Sequence, residues 1–168
     1  MKTFSNKNIL IYGYGRSGKA VCKLLENTAK NIYIYDEKFS CKTQNNNENN
    51  KINNKNNIFN DFLNKNIYLI DNFNKLNNIK INICIISPGV NLANKNVLVL
   101  KKQNIKIISE LELGASLCKG KIFAITGTNG KTTTAHLLYE IFKTAKKDCF
   151  LCGNVGTPIC EIATQTKM

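Results

Sequence analysis

The chain has 168 residues, with 24 Lys and Arg against 11 Asp and Glu, which gives a formal net charge of +13. This length accommodates one ordinary domain, or one domain and the start of another. The charge would suit a nucleic acid or an anionic membrane, but Arg16 is the only arginine, and surfaces that read phosphate favour arginine. The chain also has 27 Asn and 21 Ile, so we interpret the excess of lysine as part of a compositional bias of the whole chain and not as a surface selected to bind phosphate. We therefore predict no nucleic-acid partner.

Other classes of protein are also excluded. The longest apolar runs, such as Ile83–Ile86, are too short to span a bilayer. The first seven residues have neither the apolar core of a signal peptide nor an Arg-rich presequence. Seven cysteines, an odd number, are scattered along the chain and do not form the pattern of a secreted disulfide framework. We predict a cytoplasmic protein with no membrane partner.

Short apolar runs alternate with helical periodicities through the first part of the chain, which predicts parallel β-α units. The predicted strands are 8–12, 32–35, 67–70, 81–86 and 105–108, and the predicted helices are 18–27, 94–103 and 110–118. Ser109 and Glu112 fit a capping box at the start of the last helix. Nine of the 14 residues in 44–57 are Asn, a composition that predicts a disordered insertion at about 42–58.

A second unit is predicted to begin near residue 119. Its expected elements are a strand at 122–126, a glycine loop at 127–130, a helix at 131–146 and a strand at 149–151. Two strands and one helix cannot close a core. The predicted fold class is therefore α/β, with a Rossmann-like parallel-sheet domain at 1–118 and the incomplete start of a P-loop-type ATP-binding domain at 119–168.

The first chemical motif is Gly13-Tyr14-Gly15-Arg16-Ser17-Gly18, which fits G-x-G-x-x-G between a strand and a helix. Asp36 follows Gly18 by 18 residues and ends the next predicted strand. Glycines let a backbone approach a diphosphate, and the helix N-terminus offers N–H groups to it. The motif leaves the nucleotide open, so an NAD-dependent dehydrogenase is one alternative.

The second motif is a glycine loop followed by Lys131 and Thr132. It lacks the first glycine of the full P-loop pattern, because Ile125 stands at that position. Lys131 would neutralise phosphate oxygens and the Thr132 hydroxyl would ligate Mg²⁺, which makes these two the candidate catalytic residues. The predicted ATP-binding residues are Gly127, Thr128, Asn129, Gly130, Lys131, Thr132 and Thr133.

Five motifs in order resemble the Mur ligase family, the amide-bond-forming enzymes of peptidoglycan precursor synthesis. They are Gly13–Ala20, Ser87–Val90, Glu110–Glu112, Ala124–Thr133 and Gly153–Gly156. The shortened glycine loop is a feature of this family, so the missing first glycine supports the resemblance. Within the family, the first-domain motifs imply ATP- and Mg²⁺-dependent addition of D-glutamate to UDP-N-acetylmuramoyl-L-alanine through an acyl phosphate, with ADP formed. The expected partners are these small molecules, and we expect a monomer.

The resemblance also implies a role for individual residues in binding the substrate. Gly15, Arg16, Ser17 and Gly18 would lie at the diphosphate, Asp36 and Glu37 near the uracil, Ser87, Pro88 and Gly89 along the nucleotide, and Asn154 at the muramoyl part. Full-length members of the family carry further domains. We therefore expect this chain alone to be inactive, whether it is a piece of a ligase or a non-catalytic nucleotide-binding remnant.

Two weaker signals receive ordinary structural interpretations. Cys149 and Cys152 form a C-x-x-C pair, but with no second pair in the sequence we predict buried thiols and no metal site there. His136 falls on the predicted helix after the phosphate loop. Nothing in the sequence places a substrate proton within its reach, so we interpret it as a helix residue that is solvated or satisfied by hydrogen bonds, and not as a catalytic base.

Overall fold

The computed structural model describes residues 4–40 and 66–166. Contacts divide the chain into two compact units, Met1–Ser109 and Glu110–Met168. The boundary predicted after residue 118 lies further along the chain than this division. The Asn-rich insertion predicted at about 42–58 lies outside the described residues. In the described ranges, no helix has the length and apolar character that a membrane span requires.

The first unit is built on a five-stranded sheet in the order β3-β2-β1-β4-β5. Every pair of neighbouring strands is parallel. The strands are β1 (Asn8–Tyr12), β2 (Asn31–Tyr35), β3 (Ile67–Ile70), β4 (Ile83–Ile86) and β5 (Lys106–Ser109). Each lies within two residues of its predicted bounds, and the predicted α/β class with a parallel sheet is confirmed.

Four helical segments accompany the sheet in the described residues of the first unit. They are α1 (Arg16–Leu25), α2 (Glu37–Ser40), a 3₁₀ helix (Phe73–Asn78) and α3 (Lys95–Lys102). Helices α1 and α3 correspond to the helices predicted at 18–27 and 94–103. The two short segments were not predicted, because four to six residues are too few for a helical period to show.

The central strands are apolar on both faces because helical segments cover both. All four residues of β4 are buried, as expected for a parallel sheet enclosed on two sides. On one face, Leu10 and Tyr12 join a core cluster with Phe73, Val97 and Leu100. These packed strands hold their carboxyl ends, and the loops that follow them, in a fixed arrangement.

The second unit contains α4 (Glu110–Leu117), α5 (Lys131–Thr144) and α6 (Ile159–Ile162). Helix α4 packs against α6 so closely that a Cβ on Gly114 would overlap the side chain of Ile159. Helix α5 was predicted, but none of its residues is buried.

The two strands predicted in the second unit are wrong. Residues 122–126 and 149–151 have no regular secondary structure. An isolated bridge follows the second segment, between Cys152 and Thr157. A β-strand needs a neighbour to pair with its backbone groups. In the described part of the second unit, no strand lies beside residues 122–126. Residues 149–151 meet Thr157, whose backbone N–H donates to the carbonyl of Leu151 at 3.2 Å, but they form no strand.

Candidate nucleotide-binding sites

The loops that follow β1 and β4 share one edge of the first unit's sheet. The two strands are adjacent and parallel, with Tyr12 opposite Ile86. From this pair the strand order runs outward in opposite directions, through β2 and β3 on one side and β5 on the other. Ligands of open α/β sheets bind in the crevice at such a switch point. The predicted diphosphate loop and the predicted Ser87–Gly89 segment therefore meet at the position where this fold binds ligands.

The glycine loop after β1 is closed by contacts that only glycine permits. Gly13 has φ +93°, a conformation that L side chains rarely adopt. A Cβ on Gly18 would overlap the carbonyl oxygen of Gly13. The same carbonyl accepts a hydrogen bond from Ser87 Oγ at 2.8 Å. The loop and the Ser87 turn are thus held together.

Helix α1 starts at the end of this loop, at Arg16. Gly15 is its N-cap and makes no side-chain hydrogen bond to the first turn. Because a helix N-terminus concentrates N–H groups and positive potential, it suits a phosphate. Arg16 and Ser17 lie in the first turn, with Arg16 exposed and Ser17 partly buried. The structure therefore places all four residues predicted at the diphosphate, 15–18, at the N-terminus of α1.

Asp36 has a role that its motif did not predict. Its Oδ2 accepts the backbone N–H of Tyr14 at 2.7 Å, and its Oδ1 accepts the backbone N–H of Lys38 at 2.9 Å. One carboxylate thus joins the glycine loop after β1 to the start of α2. The structure places Asp36 beside the loop and assigns it a part in holding that loop. Its expected position near the uracil stays a prediction.

Glu37 lies in a polar network that sequence analysis missed. Its Oε1 accepts the Tyr12 hydroxyl at 2.8 Å and the Asn94 side-chain amide at 2.6 Å. Asn94 also caps α3, since its Oδ1 accepts the backbone N–H of Asn96 at 2.8 Å. Burial raises the pKa of the Tyr12 phenol, so the hydroxyl is a neutral donor at physiological pH. The one available signal was Asn94 at the start of a predicted helix.

The Ser87-Pro88-Gly89 segment forms a turn. The backbone N–H of Val90 donates to the carbonyl of Ser87 at 3.0 Å. Pro88 and Gly89 are exposed and Ser87 is partly buried. The turn therefore presents its two exposed residues beside the glycine loop.

The glycine loop of the second unit leads into α5. Gly127 has φ +147° and Gly130 has φ +78°, and Gly130 is the N-cap of α5 without a side-chain hydrogen bond. The Lys131 ammonium donates to the carbonyl oxygens of Gly127 and Thr128. The side chain thus folds back over its own loop, where a lysine can neutralise a bound phosphate.

Thr132 follows in the first turn of α5, and residues 127–133 are all exposed. Its hydroxyl lies beside uncapped backbone N–H groups, an arrangement that suits a phosphate together with its Mg²⁺. The described residues contain no group of three or more His, Cys, Asp and Glu that could hold a metal ion.

Asn154 lies on a tight turn of the second unit. Gly153 and Gly156 flank it with φ +110° and +82°. The backbone N–H of Gly153 donates to the carbonyl of Thr157 at 3.1 Å. Asn154 itself is exposed, so its side chain is presented at the tip of a turn with a defined backbone.

The cysteines and the histidine show no catalytic arrangement among the described residues. Cys149 and Cys152 are free and partly buried, and burial raises the pKa of the Cys152 thiol. His136 is exposed on α5.

The sequence did not indicate that Glu110, in the second unit, is buried or what it contacts. Glu110 belongs to one of the five motifs, and it is 3% exposed. Its carboxylate accepts the backbone N–H of Cys160 at 2.8 Å. This bond joins α4 to α6, which indicates a structural function for that motif.

Comparisons with known proteins match both parts of the chain. The Mur ligase middle domain family matches residues 125–167, which contain the second glycine loop. The resemblance to the Mur ligase family is thereby confirmed, and relatives extend it over nearly the whole chain.

The relatives are named UDP-N-acetylmuramoylalanine–D-glutamate ligase. The protein of Caldanaerobacter subterraneus subsp. tengcongensis is 33% identical over 95% of this chain and 33% of its own length. That of Caldicellulosiruptor bescii is 36% identical over 92% of this chain and 32% of its own length. That of Bacillus cereus (strain G9842) is 31% identical over 99% of this chain and 35% of its own length. The chain thus spans about a third of the relatives that it matches.

A solved structure of UDP-N-acetylmuramate:L-alanyl-gamma-D-glutamyl-meso-diaminopimelate ligase from Neisseria meningitides is also similar. It has a TM-score of 0.43 and 18% sequence identity, and the match covers 84% of this chain and 40% of that one.

Proposed function

We propose that this chain binds two ligands of a peptidoglycan precursor ligase. The first unit would bind the uridine diphosphate end of UDP-N-acetylmuramoyl-L-alanine, and the second would bind ATP with Mg²⁺. The observation that carries the proposal is the presence of two glycine loops, each followed by a helix whose N-cap makes no side-chain hydrogen bond. A nicotinamide dehydrogenase would use the first loop and would leave Lys131 and its loop without a function.

The proposed reaction joins D-glutamate to the substrate in two steps. A substrate carboxylate oxygen attacks the γ-phosphorus of ATP, which releases ADP and forms an acyl phosphate. The amine of D-glutamate then attacks the acyl carbon, and inorganic phosphate and a proton leave. ATP and Mg²⁺ supply the phosphoryl group and part of its charge compensation when they are bound.

The chain's own residues would bind and orient these groups. Lys131 would neutralise the charge that grows on the transferred phosphoryl oxygens. The N–H groups at the start of α5 would hold the phosphates, and Thr132 would ligate Mg²⁺. In the first unit, Arg16 and the N–H groups of α1 would hold the diphosphate. Asn154 would contact the muramoyl part.

Titration distinguishes this proposal from its alternative. We expect saturable binding of UDP-N-acetylmuramoyl-L-alanine and of MgATP to the chain, and no saturable binding of NAD. Isothermal titration calorimetry at two salt concentrations would separate specific sites from the general attraction of anions to a chain of net charge +13. Saturable NAD binding without binding of the UDP-sugar would support the dehydrogenase.

The complete reaction is proposed for a longer protein. The relatives that carry this activity in their names are about three times as long as the matched region. We therefore expect these 168 residues alone to release no ADP in response to D-glutamate. A D-glutamate-dependent release of ADP would contradict this expectation. We further propose that the protein is a monomer of the cytoplasm, which size-exclusion chromatography and cell fractionation can test.

A further inference from the structure

We propose that Asn94 is a positioning residue that makes the first unit selective for uracil over cytosine, through Glu37. The inference rests on the proposed function, because it takes a uridine diphosphate group as the ligand. It concerns a residue that neither the motifs nor the resemblance assigned.

The argument begins with the convergence of two donors on one carboxylate oxygen. Glu37 Oε1 accepts the Tyr12 hydroxyl at 2.8 Å and the Asn94 amide at 2.6 Å. Glu37 itself is an exposed residue, and an exposed glutamate ordinarily samples several rotamers. Two donors on Oε1 restrict that freedom. They leave Oε2 as the oxygen that we assign to the ligand.

Both donors are themselves fixed. Tyr12 is 1% exposed, and its ring packs edge-on against Tyr35 at 5.1 Å between centroids. Asn94 Oδ1 accepts the backbone N–H of Asn96 at 2.8 Å, which orients the amide nitrogen toward Glu37. The carboxylate is thus held from the end of β1 and from the start of α3.

The chemistry of an ionised carboxylate then selects the base. It accepts hydrogen bonds and donates none. Uracil carries an N–H at position 3, whereas cytosine carries an acceptor nitrogen there. A fixed Oε2 can accept the uracil N–H, but it would face the lone pair of cytosine. A mobile Glu37 could turn away from cytosine, so discrimination depends on the residues that hold it.

Substitutions of Asn94 can separate its cap on α3 from its hydrogen bond to Glu37. Asn94→Ser keeps an N-cap oxygen for α3 but removes the amide donor to Glu37. Asn94→Asp also keeps the cap and places a second carboxylate beside Glu37. The matched control is Asn91→Ser. Asn91 Oδ1 accepts the backbone N–H of Ala93 at 2.8 Å in the same segment, so the control changes a similar turn.

The experiment measures the dissociation constants of UDP and CDP by calorimetry for the 168-residue chain and its variants. We expect the unmodified chain and Asn91→Ser to prefer UDP by about tenfold, the worth of one hydrogen bond to a charged group. Asn94→Ser and Asn94→Asp should lose most of this preference. Urea unfolding of each variant shows whether it is folded. If Asn94→Ser does not fold, Asn94→Asp provides the test.

Glu37→Gln gives a sharper test. If Tyr12 and Asn94 hold the amide oxygen, the amide nitrogen takes the position of Oε2 and becomes a donor. The preference should then shift toward CDP, whose N3 accepts.

The outcomes separate this inference from the proposed function. If the unmodified chain does not bind UDP, the proposed function is wrong. If it binds UDP with a preference that Asn94→Ser and Asn94→Asp retain, only the inference is overturned. Equal losses of UDP and CDP affinity in these variants would also overturn it, because they would show a purely structural role.

Discussion

The carboxylate of Asp36 accepts the backbone N–H of Tyr14 at 2.7 Å. This bond joins the residue after β2 to the glycine loop after β1, and the second oxygen of Asp36 accepts the N–H of Lys38. An acid at this position of a nucleotide-binding fold commonly contacts the ribose. Here the acid also holds the loop that would receive the diphosphate, so its loss would affect both stability and binding.

Replacing Asp36 with Ala should destabilise the chain by about 1–3 kcal/mol, because two backbone N–H groups lose a charged acceptor. Asp36→Asn keeps one acceptor oxygen and should cost less. Urea unfolding followed by circular dichroism gives both values. Equal stabilities of the two variants would show that the bonds to Tyr14 and Lys38 contribute little.

Gly18→Ala should destabilise the first unit by about 1–3 kcal/mol, since the added Cβ would overlap the carbonyl oxygen of Gly13 and force the backbone to move. Gly15→Ala is the matched control. A Cβ at Gly15 meets no atom within 4 Å, and we expect a loss below about 1 kcal/mol, from the weaker N-cap. The prediction fails if denaturant midpoints show both variants equally stable.

In the second unit, Gly114→Ala should loosen the contact between α4 and α6, because the new methyl group would overlap Ile159. The expected loss is again about 1–3 kcal/mol. Ser116→Ala, in the same helix and exposed, should have a small effect. Combining Gly114→Ala with Ile159→Ala should cost less than the sum of the single changes, because the second change removes the overlapping group. Additive losses would argue against this contact.

Lys131→Met should weaken MgATP binding by about tenfold or more, because a phosphate loop without its lysine leaves phosphate charge uncompensated. Lys147→Met removes the same charge from an exposed position outside the loop and should bind MgATP as the unmodified chain does. Fluorescence titration with a labelled ATP analogue compares them. An equal loss in both variants would mean that general charge, and not the loop, attracts the nucleotide.

Buried thiols should make the chain less stable at high pH. Burial raises the pKa of Cys22 to about 11 and that of Cys84 to about 12, from an ordinary 9.0. Well below pH 9 both thiols are neutral in the folded and the unfolded chain, so they add no pH dependence there. Above pH 9 the unfolded thiols ionise first, and the free energy of unfolding should fall as the pH rises toward the folded values.

Urea unfolding at several pH values between 8 and 11 would measure this decline. Cys84→Ala should reduce the slope, although it lowers stability at every pH by leaving a cavity. Native alkylation provides a second measurement, since the buried Cys22 and Cys84 should react more slowly than the partly buried Cys118. If the free energy of unfolding of Cys84→Ala falls with pH as steeply as that of the unmodified chain, Cys84 does not contribute to the decline.

The sequence alone determined the five strands and the two longer helices of the first unit, and the position of its glycine loop. Runs such as Ile83–Ile86 are apolar throughout because helices cover both faces of the sheet. Gly13 and Gly18 are required by local geometry, a positive φ and a close carbonyl. Such features depend on residues near one another in the chain, so a motif and its spacing disclose them.

Tertiary structure alone decided which polar groups meet. Tyr14 with Asp36, and Asn94 with Glu37, are 22 and 57 residues apart. They meet because the strand order brings the ends of β1, β2 and β4 to one edge of the sheet. The same dependence on neighbours explains the failure at 122–126, where a strand-like sequence has no partner strand in the described part of its unit. The pattern of apolar residues along the chain indicates which segments are buried. Which polar groups become hydrogen-bond partners depends on how distant segments pack together.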